Sequence, residues 1–357
     1  MSEHFPAELL ERLPGLLVPW FLRAKRDLEW RNDPTPYRVW ISEIMLQQTR
    51  VETVKPYYDR FLAELPDVAA LAAADEVRLL KLWEGLGYYR RVRNLQAAAK
   101  KIMLDHHGVF PSDYNGVRKL PGIGDYTAGA ILSIAFGKPF PAVDGNVLRV
   151  VSRAAASRAD TDDPKIRKEL TTALAAVYPA GQCSEFTQSL MELGATVCLP
   201  NGAPLCMTCP LAGVCLASRN GLTDEIPVRR TKAARPVKEF AVVVLRDADG
   251  RFAVRRRPET GLLAGLYEFP NLEGRPDETA LETAFRAVRI RKSGTARHVF
   301  THVEWNMTLY LAETAGPPDG FEWVTRAALR SKTAIPSAFR AALELALDPD
   351  SFPGDRS

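Results

Sequence analysis

No apolar run in the 357-residue sequence approaches the ~18 residues needed to cross a bilayer, so a membrane protein is not expected. A secretory leader pattern is also missing. Glu3, Glu8, Glu11 and Arg12 are scattered through the first residues, with no basic stretch ahead of an apolar one. Charge of one sign is not in excess: 47 Lys and Arg stand against 43 Asp and Glu, a net +4 that steers nucleic acid only weakly. Cysteine and histidine are scarce, at five each, and without a secretion pattern a disulfide framework is a poor reading. A cytoplasmic monomer is the expectation. What is present is ordinary globular composition, 46% hydrophobic, in a chain long enough for two or three domains.

The small surplus of positive charge is local. Residues 1–225 carry 26 basic and 26 acidic side chains, whereas residues 226–238 (IPVRRTKAARPVK) carry five basic ones and no acidic one. That stretch reads as a solvated linker. Before it, apolar residues recur at helical spacing over 37–48, 89–104, 125–136 and 165–177. Leu120-Pro121-Gly122-Ile123-Gly124-Asp125 reads as a tight turn with Asp125 capping the next helix. After it, the period falls to two: EFAVVVLR and RFAVRRR flank the hairpin signal Asp247-Ala248-Asp249-Gly250. A helix over 279–289, strands over 297–303 and 305–312, and a terminal helix over 336–346 follow. The expected layout is an all-α domain (1–225), the linker (226–238) and a smaller α/β domain (239–357), with no internal repeat.

Four cysteines, Cys198, Cys206, Cys209 and Cys215, form a C-x7-C-x2-C-x5-C run. Structural zinc usually pairs two knuckles across a longer gap, and here there is one CxxC and no nearby histidine. Four thiolates in a compact loop suit a [4Fe–4S] cluster. Zinc and unligated cysteines remain the alternatives. Cys183 lies outside the run and reads as a buried small residue.

The helix–LPGIG–helix pattern, a following VDGN loop and the downstream cysteines together resemble the helix-hairpin-helix DNA glycosylases related to endonuclease III. PYRVWISEIMLQQTRV, LWEGLGYYRRVRNL and VDGNVLRV resemble the adenine-specific (MutY) branch of that superfamily, over essentially residues 20–225. One departure is visible: the first cysteine gap is seven residues (LPNGAPL) where the family usually has six.

Breaking an N-glycosidic bond calls for a proton on the leaving base and negative charge beneath the developing oxocarbenium ion. Glu43 has Val39 and Leu46 at i−4 and i+3, and apolar surroundings would raise its pKa. Asp144 precedes a helix whose N-terminus would keep it ionised, so the two acids should be pushed in opposite directions. Taken alone, the same residues also read as a solvated helix Glu and a capping Asp. The resemblance implies that Glu43 protonates adenine N7 and later activates water, that Asp144 stabilises, or transiently bonds to, the sugar C1′, and that Tyr126 and Asn146 position them. Endonuclease III-like lyases carry a Lys where this chain has Tyr126, so Schiff-base chemistry is not expected here.

The target base must leave the stack to be reached. Gly122 and Gly124 are candidates for holding a phosphate through hairpin amides. Gln48, Thr49, Leu86 and Tyr88 match positions that the family places at the DNA, with Gln48 and Tyr88 wedging beside 8-oxoguanine. Trp30, Arg31, Gln188 and Glu192 are candidates for an adenine pocket. The second domain resembles a MutT-like (Nudix) fold through GLLAGLYEFP, but residues 277–290 (DETALETAFRAVRI) lack the acidic cluster that holds Mg²⁺ in that family's hydrolases. Phe300-Thr301-His302 resembles the Phe-Ser-His loop that inspects 8-oxoguanine. The expected substrate is duplex DNA with adenine opposite 8-oxoguanine or guanine. The rivals are a pyrimidine glycosylase/lyase and a non-catalytic DNA-binding protein.

Overall fold

In the computed structural model, residues 2–228, 234–314, 316 and 318–352 are described. The chain divides into two compact units, Met1–Ala73 with Arg93–Lys232, and Ala74–Val92 with Ala233–Ser357. The expected 1–225 domain therefore loses residues 74–92 to the other unit. Both described ends of the expected 226–238 linker make backbone contacts. Val228 O accepts from both Thr161 N (3.1 Å) and Thr161 Oγ1 (3.0 Å), and a strand already begins at Val237. Residues 229–233 of that stretch lie outside the described residues.

Unit 1 is helical because capping residues and apolar stripes coincide. Thr35, Asp113, Asp144 and Asp163 each accept a backbone N–H at the start of helices Pro36–Leu46, Tyr114–Arg118, Gly145–Ala154 and Pro164–Ala175. Such caps are worth ~1 kcal/mol each. One core joins four helices, with Ile166, Leu170 and Leu174 of Pro164–Ala175 among its members. Leu10, Leu13 and Leu17 of Ala7–Ala24 pack with Val147, Leu148 and Val151 of Gly145–Ala154 and with Phe186, Leu190 and Leu193 of Cys183–Thr196. Each such side chain contributes about 1.5–3 kcal/mol by burial.

Two details of the hairpin region differ from expectation. Gly124, rather than Asp125, occupies the cap position; Asp125 is the first helical residue, and its carboxylate accepts from Tyr114 Oη (2.9 Å) and Arg118 Nε (2.6 Å). The helix expected over 125–136 is α-helical only for Asp125–Ala130 and continues as a π turn, Ile131–Ala135. At this point Gly129 meets the Pro141 carbonyl, which would stand 2.2 Å from an added Cβ. No other residue fits there.

Unit 2 is built on a mixed sheet: β1 (Val237–Arg246), β2 (Phe252–Arg256), β3 (Tyr267–Glu268), β4 (Asn271–Glu273), β5 (Val288–Val299), β6 (Glu304–Glu313) and β7 (Glu322–Val324), in the order β3-β2-β1-β6-β5 with β4 on β1 and β7 on β2. β1 is central and runs parallel to β6. Alternation is visible across its two faces: Val242 and Val244 join Phe252, Leu309 and Phe339 in one core, while Ala241, Val243 and Leu245 join Leu281 and Phe285 in the other. The hairpin at Asp247–Gly250 forms as read, with Arg246 opposite Phe252. The helix Glu278–Phe285 stops earlier than expected because Arg286 turns left-handed (φ 51°). β5 then runs from Val288 to Val299, so Phe300–His302 form the turn before β6 rather than part of a strand. Along the sheet edge, Arg289, Arg291 and Lys292 are exposed on β5, whose two register shifts further blunt pairing with another chain.

Candidate active site

Unit 1 contains a cavity of about 700 Å³ that Glu43, Tyr126, Asp144 and Asn146 all line. Three local structures bring them there. Glu43 lies on Pro36–Leu46, with Val39 and Leu46 beside it on the same cavity wall. Tyr126 is the second residue of the hairpin's second helix, and Asp144 is the cap of Gly145–Ala154. The Tyr126 hydroxyl donates to Glu43 Oε2 at 2.5 Å.

Glu43 is 7% exposed, and burial raises its carboxyl from 4.5 to about 7. The Tyr126 hydrogen bond opposes that rise, the Asp144 charge adds to it, and Arg31 opposes it again. Tyr126 itself is held well above its ordinary value by burial and by the two acids, so it stays a donor. Asp144 accepts from Val147 N (2.8 Å) and Asn146 Nδ2 (2.7 Å). These bonds favour its ionised form, as the helix N-terminus does. Burial is nonetheless the larger effect and raises its pKa as well, which corrects the expectation of opposite shifts. The asymmetry between the acids lies in their partners. Glu43 takes one phenol, whereas Asp144 takes a backbone N–H and an amide.

The candidate base-pocket residues Trp30, Arg31, Gln188 and Glu192 line the same cavity. Trp30 packs edge-on against Tyr58, with ring centroids 5.5 Å apart. Gln188 Nε2 donates to Ser184 Oγ (3.1 Å). Glu192 is already engaged within the protein. Arg26 donates to it through its backbone N–H (3.0 Å), Nε (2.7 Å) and Nη2 (2.8 Å), and Arg31 through Nη2 (2.8 Å). Burial would raise this carboxyl, but the two guanidinium groups bring it down to about 2. Arg26 was missed in the sequence. It lies 166 residues from its partner, and nothing in RAKRD marks one basic residue above another.

Of the DNA candidates, Gln48 ends the Glu43 helix in a left-handed conformation (φ 59°), exposed, with Thr49 half-buried beside it; both reach the cavity. Gly122 and Gly124 are exposed at the hairpin tip. Gly122 has φ +76°, and a Cβ there would stand 2.6 Å from Asn94 Cβ, so glycine is required. Leu86 and Tyr88 belong to unit 2, where Leu86 is buried at 5% exposure and cannot itself touch DNA without moving; Tyr88 is 48% exposed. In the 300–302 turn, Phe300 packs edge-on against His298 and Trp305 and anchors the loop, leaving Thr301 and His302 exposed.

The HhH-GPD superfamily of base excision DNA repair proteins matches residues 41–176, and the NUDIX domain matches residues 241–345. The adenine DNA glycosylase of Mus musculus is 33% identical over 376 residues, covering 87% of this chain and 73% of the mouse protein. The chain belongs to the adenine DNA glycosylase family. The family member from Buchnera aphidicola subsp. Acyrthosiphon pisum is 33% identical over 263 residues, covering 73% of this chain and 75% of that one. Among solved structures, a thermostable thymine-DNA glycosylase superposes with a TM-score of 0.54 at 26% identity, over 60% of this chain and 98% of that one.

In this adenine DNA glycosylase family chain the four cysteines line one small cavity with Arg153. Among the described residues no three His, Cys, Asp or Glu side chains stand close enough to hold a single metal ion. Four thiol side chains around one cavity are the kind of donor set that an iron–sulfur cluster takes. Burial raises Cys209 to about 11, with the neighbouring cysteines adding to the rise, so its thiolate needs positive charge nearby. Arg153 Nη1 donates to Cys198 Sγ (3.3 Å). The seven-residue first gap closes through Leu205 N to Val197 O (2.9 Å), with Gly202 left-handed at φ +75°. The buried Arg149 spans the distance to the acid. It donates to Cys198 O (2.8 Å), Gly194 O (2.7 Å) and Asn146 Oδ1 (2.8 Å), while Asn146 holds Asp144.

Because the fold raises Glu43 to about 7, the native state binds that proton more tightly than the unfolded chain does. Its contribution is fully present below 4.5 and is lost as pH rises through about 7, a change of about 3 kcal/mol. Glu43→Gln should therefore raise the urea midpoint at about pH 8 and change it little at about pH 5. Equal effects at both would mean that Glu43 is not held neutral by the fold.

Proposed function

We propose that this chain hydrolyses the N-glycosidic bond of adenine mispaired with 8-oxoguanine or guanine in duplex DNA, leaving an abasic site. The observation that supports the reading is the Glu43–Tyr126 bond of 2.5 Å in the cavity that Asp144 also lines. With a pKa of about 7, Glu43 is partly protonated at neutral pH, the condition for a general acid. Glu43 gives its proton to adenine N7, and the bond pair between C1′ and the base leaves with adenine. The positive charge that develops on the sugar faces Asp144, whose two cap bonds hold it in place. Water then adds to C1′ and returns a proton to Glu43, leaving the site as it began. Tyr126 supplies no amine, so no Schiff base forms and the strand is not cut by lyase chemistry.

Recognition of the opposite base is assigned to Thr301 and His302, exposed in the turn before β6, with Tyr88 beside them and Gln48 as a second wedge. Cys198, Cys206, Cys209 and Cys215 would hold a [4Fe–4S] cluster, which supplies cross-linking of the loop and no chemistry on the substrate. The protein would act on DNA as a monomer in the cytoplasm.

Single-turnover cleavage of A:8-oxoguanine, A:G and A:C duplexes tests the substrate. The first two should react and the third should lag. Glu43→Gln should slow adenine release by about 10²–10⁴ while duplex binding survives. Thr301→Val, which keeps shape and removes the hydroxyl, should lower the A:8-oxoguanine over A:G rate ratio by roughly 5- to 150-fold at fixed salt. An unchanged ratio would remove Thr301 as a lesion contact. Purified protein should also be yellow-brown with about four irons per chain; colourless, zinc-loaded protein would reject the cluster.

A further inference from the structure

Residues 81–91 carry the Tyr88 wedge on a turn with unusual backbone. Gly85 (φ 101°), Gly87 (φ 68°) and Tyr88 (φ 48°) are all left-handed, a conformation that a tyrosine adopts only when its surroundings hold it. Inside the turn, Trp83 Nε1 (3.0 Å) and Arg91 Nη2 (3.1 Å) both donate to Gly87 O, and the Arg91 guanidinium lies over the Trp83 and Tyr88 rings at 5.2 and 5.5 Å. The Tyr88 hydroxyl then meets Thr301 Oγ1 at 3.0 Å, and Arg235 Nε donates to Thr301 O at 3.0 Å.

Among the contacts between this segment and the rest of unit 2, those of Lys81 and Glu84 stand closest in sequence to the turn and are placed to fix it relative to the 300–302 loop. Lys81 Nζ donates to Leu329 O (3.0 Å) and Thr333 O (3.2 Å), capping the carboxyl end of helix Arg326–Ser331, where a cation is favoured. It also pairs with Glu84 Oε2 at 2.5 Å, and Glu84 Oε1 accepts from Ile335 N at 2.8 Å. The next residue back, Ala334, accepts from Tyr267 N of β3 (3.1 Å), which joins the 329–335 segment to the sheet carrying Thr301. Both charged side chains are about four-fifths buried, at 17% and 21% exposure, so these bonds are little screened by solvent.

We infer that Lys81 and Glu84 form a latch that holds Tyr88 against Thr301, making both positioning residues for lesion preference rather than for the chemical step. The inference rests on the proposal that Tyr88 and Thr301 read 8-oxoguanine. Neither Lys81 nor Glu84 lines the Glu43 cavity, so the A:G rate should not depend on them.

The test uses the full chain with 3-fluorotyrosine incorporated, the Tyr88 resonance being assigned by its loss in Tyr88→Phe. Lys81→Met removes the donors and keeps the stem; Glu84→Gln keeps an acceptor for Ile335 and removes the charge facing Lys81; Lys81→Arg restores a donor. The Tyr88 fluorine signal should shift or broaden in Lys81→Met and less so in Glu84→Gln. The A:8-oxoguanine over A:G single-turnover ratio should fall roughly fivefold or more in Lys81→Met, with A:G turnover held and with partial recovery in Lys81→Arg. Combined with Tyr88→Phe, Lys81→Met should add little further loss, since both act through one contact. An unmoved fluorine signal would overturn the latch whatever the rates do. A moved signal with an unchanged ratio would instead overturn the assignment of Tyr88 and Thr301 as lesion readers. Equal losses on both substrates would reduce Lys81 to a stability role and also overturn the inference.

Discussion

A carboxyl group taken out of water must be neutralised, paired or paid for, and Glu43 meets only part of that requirement. Its apolar neighbours Val39 and Leu46 favour the neutral acid, while the Tyr126 hydroxyl at 2.5 Å favours the anion. The balance puts the group near 7, where both forms are accessible, and an acid that must also serve as a base needs both. The hairpin, the helix carrying Glu43 and the π turn behind Tyr126 are arranged around that one bond. Arg26 and Arg31 line the same cavity. They satisfy the buried Glu192 there, which holds Arg31 where its charge also favours the Glu43 anion.

Asp144 depends on a longer chain of contacts. Its cap bonds fix the carboxylate, Asn146 is fixed by Arg149, and Arg149 is fixed by the carbonyls of Gly194 and Cys198. The close approach is structural as well as polar, because a Cβ on Gly194 would stand 2.5 Å from Asn146 Cβ. Arg153, one turn further along the same helix, bonds Cys198 Sγ and Leu199 O. The cysteine loop and the acid therefore share one rigid helix, whose apolar face is locked into the core by Val147, Val150 and Val151. A cluster bound by those cysteines would stabilise that support without approaching the substrate.

Much of this was legible in the residues because the signals are contiguous. The LPGIG turn, the VDGN cap and the four cysteines each occupy a short window, and the hydrophobic period changes where the second fold begins. What escaped the sequence depends on pairings across long separations. The Arg26–Glu192 bond bridges 166 residues, and residues 74–92 meet the rest of unit 2 partly through Lys81 and Glu84 bonding to backbone atoms about 250 residues away, which carry no side-chain signature. The shift at Asp144 was misjudged for a different reason: a helix N-terminus is readable from sequence, but the depth at which it is buried is not. The early start of β5 turned on one left-handed residue, Arg286, that helical periodicity could not foresee.

The fold itself holds Glu43 as an acid near neutrality, and the most direct measurement of this is its titration. Carboxyl-¹³C NMR of protein labelled at glutamate, with the Glu43 signal assigned by its absence in Glu43→Gln, should show a midpoint near 7. In Tyr126→Phe the midpoint should move higher, because the hydrogen bond that favours the anion is gone. A midpoint near 4.5, unmoved by Tyr126→Phe, would contradict the account.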